Sequence, residues 1–377
     1  MATMKFQRTF KLKPYWQEWF KKAQALKTVT LTENLEIDGI KYGFGGHSVT
    51  IPPTALNKFL KEDLSKIYLR DNVTLKIFHL PILMHTQMYE CFWGGEACKI
   101  VDTTRIQNIM AFNGIAPRVY DLVFLTFGDY KMVAQVTEFV EAETLNEEEL
   151  NKLIDNIATT APKYNIYPEN VQSFNFVGRK FVDFGRWYAD TFYKERLQER
   201  AKIALQFGGS EEPYQSVEGI HVKGQRYNLK RNKIFEKAFK KDRKLLPDNF
   251  TVVDFGCSGG FFLRRAFDWG AGYGVGVDTR EVIDAASEIS YFLDYFNADF
   301  YTELPDRKFD FGFYLSMDRH TDFEAFVPCI NKLLYLEGHS GDPKEKYIKM
   351  LKPHFKKVEY LGTVSDYGER HLFRAVR

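Results

Sequence analysis

The chain has few cysteines and no long apolar run, and these two absences narrow what it can be. Its four cysteines, Cys91, Cys98, Cys257 and Cys329, show neither metal-ligand spacing nor the density of a disulfide framework, so we expect reduced thiols. No apolar run approaches the roughly 20 residues that cross a bilayer, and Met1–Lys22 lacks the apolar core of a signal peptide. We therefore predict a cytoplasmic protein without a membrane span.

The charge balance excludes a general preference for polyanions. Lys and Arg total 52 against 50 for Asp and Glu, which leaves a net charge of only +2. The length of 377 residues exceeds that of one ordinary domain, and an apolar share of 45% is enough to fill two cores. We predict a folded protein of two domains.

The best linker signal is GGSEEP at residues 208–213, and we place a linker at 208–221. We predict an α+β segment at 1–71 that packs on a domain at 72–207, and a second domain at 222–377. Local patterns predict a strand at 72–80, a helix at 146–160 opened by an acidic run, and a helix at 187–207.

The strongest functional signal is the stretch Thr251–Phe262, which reads TVVDFGCSGGFF. An apolar strand precedes a glycine-rich turn, and a helix follows the turn. Glycines at Gly256, Gly259 and Gly260 permit a tight turn and let the backbone approach a ligand closely.

Two acids follow later predicted strands. Asp278 ends the strand GVGVD, 22 residues beyond Gly256, and a carboxylate there can accept both hydroxyls of a ribose. Asp299, in the sequence NAD, comes after a third strand-helix step and can meet an adenine amine. Residues 309–316 are predicted to form a fourth buried strand.

In this order the segments resemble the class I S-adenosylmethionine-dependent methyltransferases, over about residues 222–377. The resemblance implies a Rossmann-like α/β domain in which the turn wraps the methionine part of S-adenosyl-L-methionine, Asp278 holds the ribose and Asp299 approaches the adenine. Strands at 355–362 and 371–376 resemble the antiparallel sheet edge of that family. The competing interpretation, a nicotinamide-binding domain, is disfavoured because GCSGG fits G-x-G-x-x-G poorly. The residues assigned to the cofactor are Asp254, Gly256, Cys257, Ser258, Gly259, Gly260, Asp278 and Asp299.

Polar residues after the fourth and fifth strands are candidates for acceptor chemistry. Asp318, Arg319 and His320 are expected at the carboxyl edge of the sheet, and Glu337 and His339 at the same mouth. The carboxylates and imidazoles could form a general base for a hydroxyl, and the arginine could bind an anionic acceptor. The alternative is that both histidines only satisfy loop backbones.

The sequence after the fourth strand also bears on the acceptor. The methyltransferases of amino-adenine and amino-cytosine carry Asn- or Asp-Pro-Pro-Tyr there, whereas this chain has LSMDRH. The difference argues against methylation of DNA bases. We predict transfer to an oxygen of a small molecule or glycan, with a sugar or phosphate in the acceptor.

Residues 72–190 resemble the protein-kinase fold in five segments that occur in the family's order. The segments are EACKI with Lys99, residues 113–120, residues 135–145, YPEN ending at Asn170, and KFVDFG with Asp183. The resemblance implies an α+β domain in which Lys99 contacts the phosphates of ATP, while Asn170 and Asp183 hold magnesium.

Three features depart from the kinase pattern. Asn165 stands at the position of the catalytic aspartate, and an amide cannot accept the proton of a substrate hydroxyl. Gln107 lies where the glutamate of helix C is sought, and no G-x-G-x-x-G precedes Lys99. A degenerate pseudokinase domain that recognises the acceptor or regulates the transferase is favoured. A bifunctional kinase–methyltransferase acting on one substrate is the alternative.

A basic stretch at Lys223–Lys244 holds ten Lys or Arg against two acids. A solvated helix face is the simpler interpretation. A positive rim that binds RNA is the other, and it would make the chain an RNA-binding methyltransferase or an adaptor. Tyr227, Phe235 and Phe239 interleave with these charges, but at helical spacing they are expected to face the core.

Overall fold

A computed structural model describes most of the chain and divides it into two compact units, Met1–Tyr193 and Lys194–Arg377. The described residues are 8–13, 35–37, 40–42, 44–45, 48–68, 70–78, 100–127, 130–168, 171–184, 187–189, 193–206, 210–217, 220–226, 228–292, 298–365 and 368–377.

The predicted linker at 208–221 is packed where the structure describes it. Gln215, Val217 and Ile220 are buried, and the backbone of Val217 pairs with that of Val222. The division between the two units lies before this stretch, which is part of the second unit.

The first unit contains a six-stranded sheet in which one outer pair is parallel. The first eight strands described in this unit, six of which form the sheet, are β1 Thr9–Lys11, β2 Leu35–Ile37, β3 Ile40–Tyr42, β4 Phe44–Gly45, β5 Ser48–Ile51, β6 Val73–Phe78, β7 Val119–Phe127 and β8 Tyr130–Glu138. The order in the sheet is β1-β7-β8-β6-β5-β4; β1 lies parallel to β7 and the other neighbours are antiparallel. Strands β2 and β3 form a separate pair.

Four helices and two small antiparallel strand pairs, β10 with β11 and β9 with β12, complete the described part of this unit. The helices are α1 Pro53–Phe59, α2 Leu64–Tyr68, α3 Ile100–Phe112 and α4 Glu147–Thr160; the remaining strands are β9 Ile166–Tyr167, β10 Phe176–Val177, β11 Lys180–Phe181 and β12 Tyr188–Ala189. Helix α4 begins with a capping box, because the Asn146 side chain accepts from the Glu149 backbone N–H and the Glu149 carboxylate accepts from the Asn146 N–H. The predictions of this helix and of a strand at 72–80 are confirmed.

The second unit is a seven-stranded mixed sheet with helices in its connections. Its strands are β13 Thr251–Phe255, β14 Tyr273–Val277, β15 Ala298–Tyr301, β16 Phe309–Leu315, β17 Ile330–Glu337, β18 Lys357–Val364 and β19 Arg370–Val376. The helices are α5 Tyr193–Ala204, α6 Leu229–Asp242, α7 Phe261–Asp268, α8 Arg280–Phe292, α9 Phe323–Phe326 and α10 Lys344–Leu351.

The strand order β15-β14-β13-β16-β17-β19-β18 places β13 near the middle of the sheet. The first five strands in this order are parallel, and β19 runs antiparallel to both of its neighbours. The connection reverses direction at β13, which puts a ligand crevice at the carboxyl ends of β13 and β16. The predicted α/β sheet with an antiparallel edge is confirmed.

Aromatic side chains form much of the core on one face of this sheet. Phe235 of α6 stacks on Tyr335 with ring centroids 4.9 Å apart, and Phe239 packs on Phe311. Both phenylalanines are buried, as predicted, so the basic helix offers neither ring for stacking. Its exposed residues are Lys230, Lys233, Lys237, Lys240 and Lys241, and Lys244 is exposed just beyond its end. RNA binding by this face stays a prediction.

Within the described parts of the chain, every helix is too short or too polar to cross a bilayer.

Candidate functional site

The glycine turn lies at the carboxyl end of β13. Gly256 has φ +77° and Gly260 has φ +72°, values in the left-handed region that L side chains rarely adopt. The Gly256 N–H donates to the Val277 carbonyl at 2.8 Å, which fixes the turn against the end of β14. A Cβ at Gly256 would collide with the sulfur of Met317, so any side chain at this position would force Met317 to move.

Asp278 joins the end of β14 to this turn. Its Oδ2 accepts a hydrogen bond from the Ser258 backbone N–H at 2.8 Å, and its Oδ1 accepts from the Thr279 N–H at 2.8 Å. Burial raises the pKa of Asp278, while these two hydrogen bonds favour the ionised form. The structure therefore brings the predicted ribose acid to the turn.

The other residues of the turn have mainly packing roles. The Cys257 thiol is free and buried, and burial raises its pKa well above the ordinary value, which makes it unreactive. A Cβ at Gly259 would lie 3.1 Å from both Leu205 and Val217, so α5 and the stretch before α6 cover this side of the turn.

Asp254 lies buried beneath the turn. Burial, and then the nearby charge of Asp278, raise its pKa to about 7, against the opposing charges of Arg231 and Arg264. The carboxyl group therefore changes protonation near neutral pH.

Asp299 is not brought to the turn or to the carboxyl edge. It lies two residues before the end of β15, is 3% exposed, and accepts a hydrogen bond from the Tyr273 hydroxyl at 2.7 Å. Tyr301 and Thr302 occupy the strand end instead. The adenine role of Asp299 stays a prediction, and its position does not favour it.

Glu337 was expected in the mouth, and the structure contradicts this. Its side chain is fully buried and accepts hydrogen bonds from Arg226, from Arg231 at 2.9 Å and from the Ser316 hydroxyl at 2.7 Å. Burial alone would raise its pKa, but the charges of Arg231 and Arg226 lower it to about 2. Glu337 is thus a permanently ionised structural group. Arg226 and Arg231 lie in the basic stretch, and no local pattern there marks them as partners of Glu337.

The remaining acceptor candidates do come together. Asp318, Arg319 and His320 follow β16, His339 follows β17, and the two imidazole rings have centroids 5.5 Å apart. His339 Nε2 lies 3.6 Å from Asp318 Oδ1. The Asp318 side chain is 4% exposed, whereas His320 and Arg319 are exposed.

Helix α10 supplies two residues to this cluster that sequence reasoning missed. Lys346 Nζ lies 2.6 Å from Asp318 Oδ2 and 2.8 Å from Asp342 Oδ2. The Tyr347 hydroxyl accepts from the His339 backbone N–H at 2.7 Å and donates to Asp342 at 2.8 Å. Both residues lie in the first turn of α10, whose amphipathic sequence is typical of a surface helix and does not indicate a functional site.

No group of three or more His, Cys, Asp or Glu within the described ranges is arranged to hold a metal ion.

In the first unit, two of the three predicted nucleotide residues, Lys99 and Asn170, lie outside the described residues. Asp183 is exposed and follows Val182, whose carbonyl accepts from Lys76 Nζ at 3.1 Å. Lys76 belongs to β6, the described strand before α3, and β6 lies between β5 and β8.

Two departures from the kinase pattern also have a structural counterpart. Gln107 is buried and donates its amide to the Pro117 carbonyl at 2.9 Å, so it does not serve as an ion-pair partner for a lysine. Asn165 has φ +52° at the turn after the 3₁₀ helix Ala161–Tyr164. Strand β4, Phe44–Gly45, lies within the glycine-rich sequence GFGG at 43–46; it pairs with β5, and β5 pairs with the strand of Lys76.

The strand order, the glycine turn after β13 and the acid after β14 define a methyltransferase-like α/β fold for the second unit. No protein-family model matches the chain, and no curated protein is found similar to it.

Solved structures do show a likeness. A structure of the bifunctional kinase-methyltransferase WbdD matches with 18% identity and a TM-score of 0.36, covering 48% of this chain and 45% of that one. A ribosomal protein L11 methylase from Lactobacillus delbrueckii subsp. bulgaricus matches with 16% identity and a TM-score of 0.30, covering 38% and 79%. A SAM-dependent methyltransferase from Aquifex aeolicus matches with 18% identity and a TM-score of 0.30, covering 37% and 88%. The chain spans less than half of the WbdD structure, and at these scores the likeness carries no conclusion about function.

Proposed function

We propose that the second unit binds S-adenosyl-L-methionine and transfers its methyl group to an oxygen of a small acceptor that contains a sugar or a phosphate. The observation that carries the proposal is the contact between Asp278 and the Ser258 N–H. This contact holds the acid after β14 beside the glycine turn after β13. Both lie at the carboxyl ends of the parallel strands, which is where such a sheet binds its ligand.

The residues of this edge fit the donor. The turn presents backbone without side chains at Gly256 and Gly260, which suits close contact with the methionine part. Asp278 offers carboxylate oxygens to ribose hydroxyls. The bound donor supplies an electrophilic methyl group, and the polar cluster after β16 and β17 lies at the same edge for the acceptor.

Calorimetric titration of the full chain with S-adenosyl-L-methionine tests the proposal. Asp278→Ala removes a charged acceptor, and we expect it to weaken binding by about 1.5–3 kcal/mol. Asp306→Ala is the matched control, because Asp306 is an exposed acid in the loop before β16 and should leave affinity unchanged. Equal affinities of the wild type and Asp278→Ala would contradict the assignment.

For the first unit, the contact of Lys76 with the carbonyl next to Asp183 favours a second candidate function. A lysine and an acid on converging segments are suited to the phosphates of ATP and its magnesium ion. Asn165 in place of a proton-accepting aspartate argues for nucleotide binding without efficient phosphoryl transfer. This unit would then recognise the acceptor or regulate the transferase.

A further inference from the structure

His339 is held rigidly through its backbone. It follows β17 by two residues, and its N–H donates to the Tyr347 hydroxyl at 2.7 Å. The intervening Gly338 has no room for a Cβ, which would overlap the Tyr347 ring. The imidazole is therefore placed by strand β17 and helix α10, not by a free loop.

The side chain of His339 is nearly enclosed and incompletely satisfied. Only 12% of the side chain is exposed, and its buried Nε2 has no hydrogen-bond partner among the residues that the structure describes. The nearest carboxylate oxygen, Asp318 Oδ1, is 3.6 Å away, beyond an ordinary N–H···O bond. A buried imidazole nitrogen that faces a carboxylate across such a gap is a group with unused hydrogen-bonding capacity.

Asp318 is itself fixed beside this nitrogen. Lys346 Nζ binds its Oδ2 at 2.6 Å, which leaves Oδ1 facing His339. A carboxylate near a histidine nitrogen favours the tautomer with hydrogen on that nitrogen and stabilises the imidazolium once it forms. The opposite nitrogen, Nδ1, then keeps a lone pair that can accept a proton.

The charges around His339 keep it neutral at physiological pH. Burial lowers its pKa and Asp318 raises it, while Arg370, Arg319 and His320 lower it further, so that the pKa lies below 6.5. Arg370 comes from β19, Arg319 and His320 from the segment after β16. A neutral imidazole is the form that a general base requires.

We infer that His339, positioned by Asp318, accepts the proton of the acceptor in methyl transfer, so that the acceptor group is a hydroxyl and not an ionised phosphate. The inference rests on the proposed function and deepens it. The hydroxyl oxygen forms a bond to the methyl carbon of the donor, and the carbon–sulfur bond breaks with its electron pair on sulfur. The hydroxyl proton passes to imidazole Nδ1, and the products are a methyl ether and S-adenosylhomocysteine.

The test uses the charge of the donor as a probe of distance. S-adenosyl-L-methionine carries a positive sulfonium, whereas S-adenosylhomocysteine has a neutral sulfur at the same place. A base that serves the transferred methyl lies close to this sulfur, so the sulfonium should lower the pKa of His339. A unit charge several Å away in a partly screened site gives a change of about 1 in pKa.

The experiment is NMR titration of the full chain labelled in its histidines, free and saturated with each compound. His339→Gln assigns the signal by its loss, and His320→Gln assigns its neighbour independently. We expect a pKa below 6.5 in the free protein, a lower value with S-adenosyl-L-methionine than with S-adenosylhomocysteine, and a further decrease in Asp318→Asn, because the carboxylate that raises the pKa is gone.

The outcomes separate the two claims. If both compounds bind and the pKa of His339 is the same with each, the imidazole is remote from the methyl group and the inference is overturned. A pKa above 6.5 in the free protein would overturn it too. If neither compound binds, the donor assignment itself is wrong, and the role of His339 falls with it.

Discussion

Ser316 donates its hydroxyl hydrogen to Glu337 Oε2 across 2.7 Å and so joins the ends of β16 and β17. Ser316 is itself in the left-handed region, with φ +61°, at the point where the chain leaves β16 for the acceptor cluster. Arg226 and Arg231 bind the same carboxylate. The segment that continues from Ser316 to Asp318, Arg319 and His320 is thus anchored at its start to a buried ionic group.

Replacing Glu337 should therefore be costly to stability. Glu337→Gln leaves two buried arginines without their carboxylate, and we expect a loss of about 3–5 kcal/mol in the free energy of unfolding. Glu359→Gln is the control: this acid is half exposed and lies 3.3 Å from Arg374, which keeps its closer carboxylate partner Asp242, so its loss should cost less than about 1 kcal/mol. Denaturant unfolding of both variants measures the difference.

The ionised Glu337 carboxylate also predicts that the free energy of unfolding decreases at acidic pH. The pKa of Glu337 is lowered in the folded state from 4.5 to about 2, so its contribution is complete above pH 4.5 and is lost as the pH falls toward 2. We expect the stability difference between the wild type and Glu337→Gln to shrink over this range. A difference that stays constant from pH 5 to pH 2 would show that the carboxylate is not ionised in the fold.

For Asp254 we predict the opposite dependence of stability on pH. Its pKa is raised from 3.8 to about 7, so the folded state holds a proton that the unfolded state has released, and stability falls as the pH rises between these values. The slope for one such group is about 1.4 kcal/mol per pH unit. Asp254→Asn cannot titrate, so its melting temperature should gain on that of the wild type from pH 4 to pH 7 and then run parallel.

Gly256 can be tested against a glycine with the same backbone strain and open space. Gly341 has φ +83°, and no atom of the described residues lies within 4 Å of its Cβ position, so Gly341→Ala should cost only about 1 kcal/mol for the left-handed backbone. Gly256→Ala adds a collision with Met317 and should both destabilise the protein further and weaken donor binding. Equal melting temperatures for the two variants, with donor affinity retained, would argue against the close approach at the turn.

The first unit predicts binding without fast chemistry. Asp183→Asn should abolish the effect of magnesium on the affinity of a fluorescent ATP analogue, since a carboxylate ligand is lost. Asp155→Asn, on the exposed face of α4, should not change this effect. In the wild type, Asn165 should keep ATP turnover below the kinase range of about 1–100 per second. Turnover within that range, sensitive to Asp183→Asn, would support the bifunctional alternative.

Sequence reasoning was most successful where local patterns decide structure. The strand, glycine turn and helix around Gly256 were predictable, because glycine spacing and apolar runs are short-range signals. The α4 helix was predictable for the same reason. The position of Asp278 at the end of β14 was predictable too. In a parallel sheet the end of β14 lies beside the end of β13, where the glycine turn begins.

The prediction for Glu337 was wrong, because contacts between residues distant in the sequence decide the surroundings of its side chain. Glu337 ends one strand and Asp318 follows its neighbour, and only two arginines from about 110 residues earlier in the chain make Glu337 a buried structural group. Lys99 and Asn170 lie outside the described residues, so the roles predicted for them stay predictions.

The position of β19 between β17 and β18 has a consequence for the order of folding. Strands β18 and β19 are consecutive in the chain and pair antiparallel, so they can form as a local hairpin on a microsecond timescale. Strand β17 can gain its second neighbour only through β19, after α10 and β18 have been crossed. The parallel strands need non-local pairings that close slowly. We therefore expect the β18–β19 hairpin to form before the parallel half of the sheet, and hydrogen exchange of the β17–β19 amides during refolding tests this order.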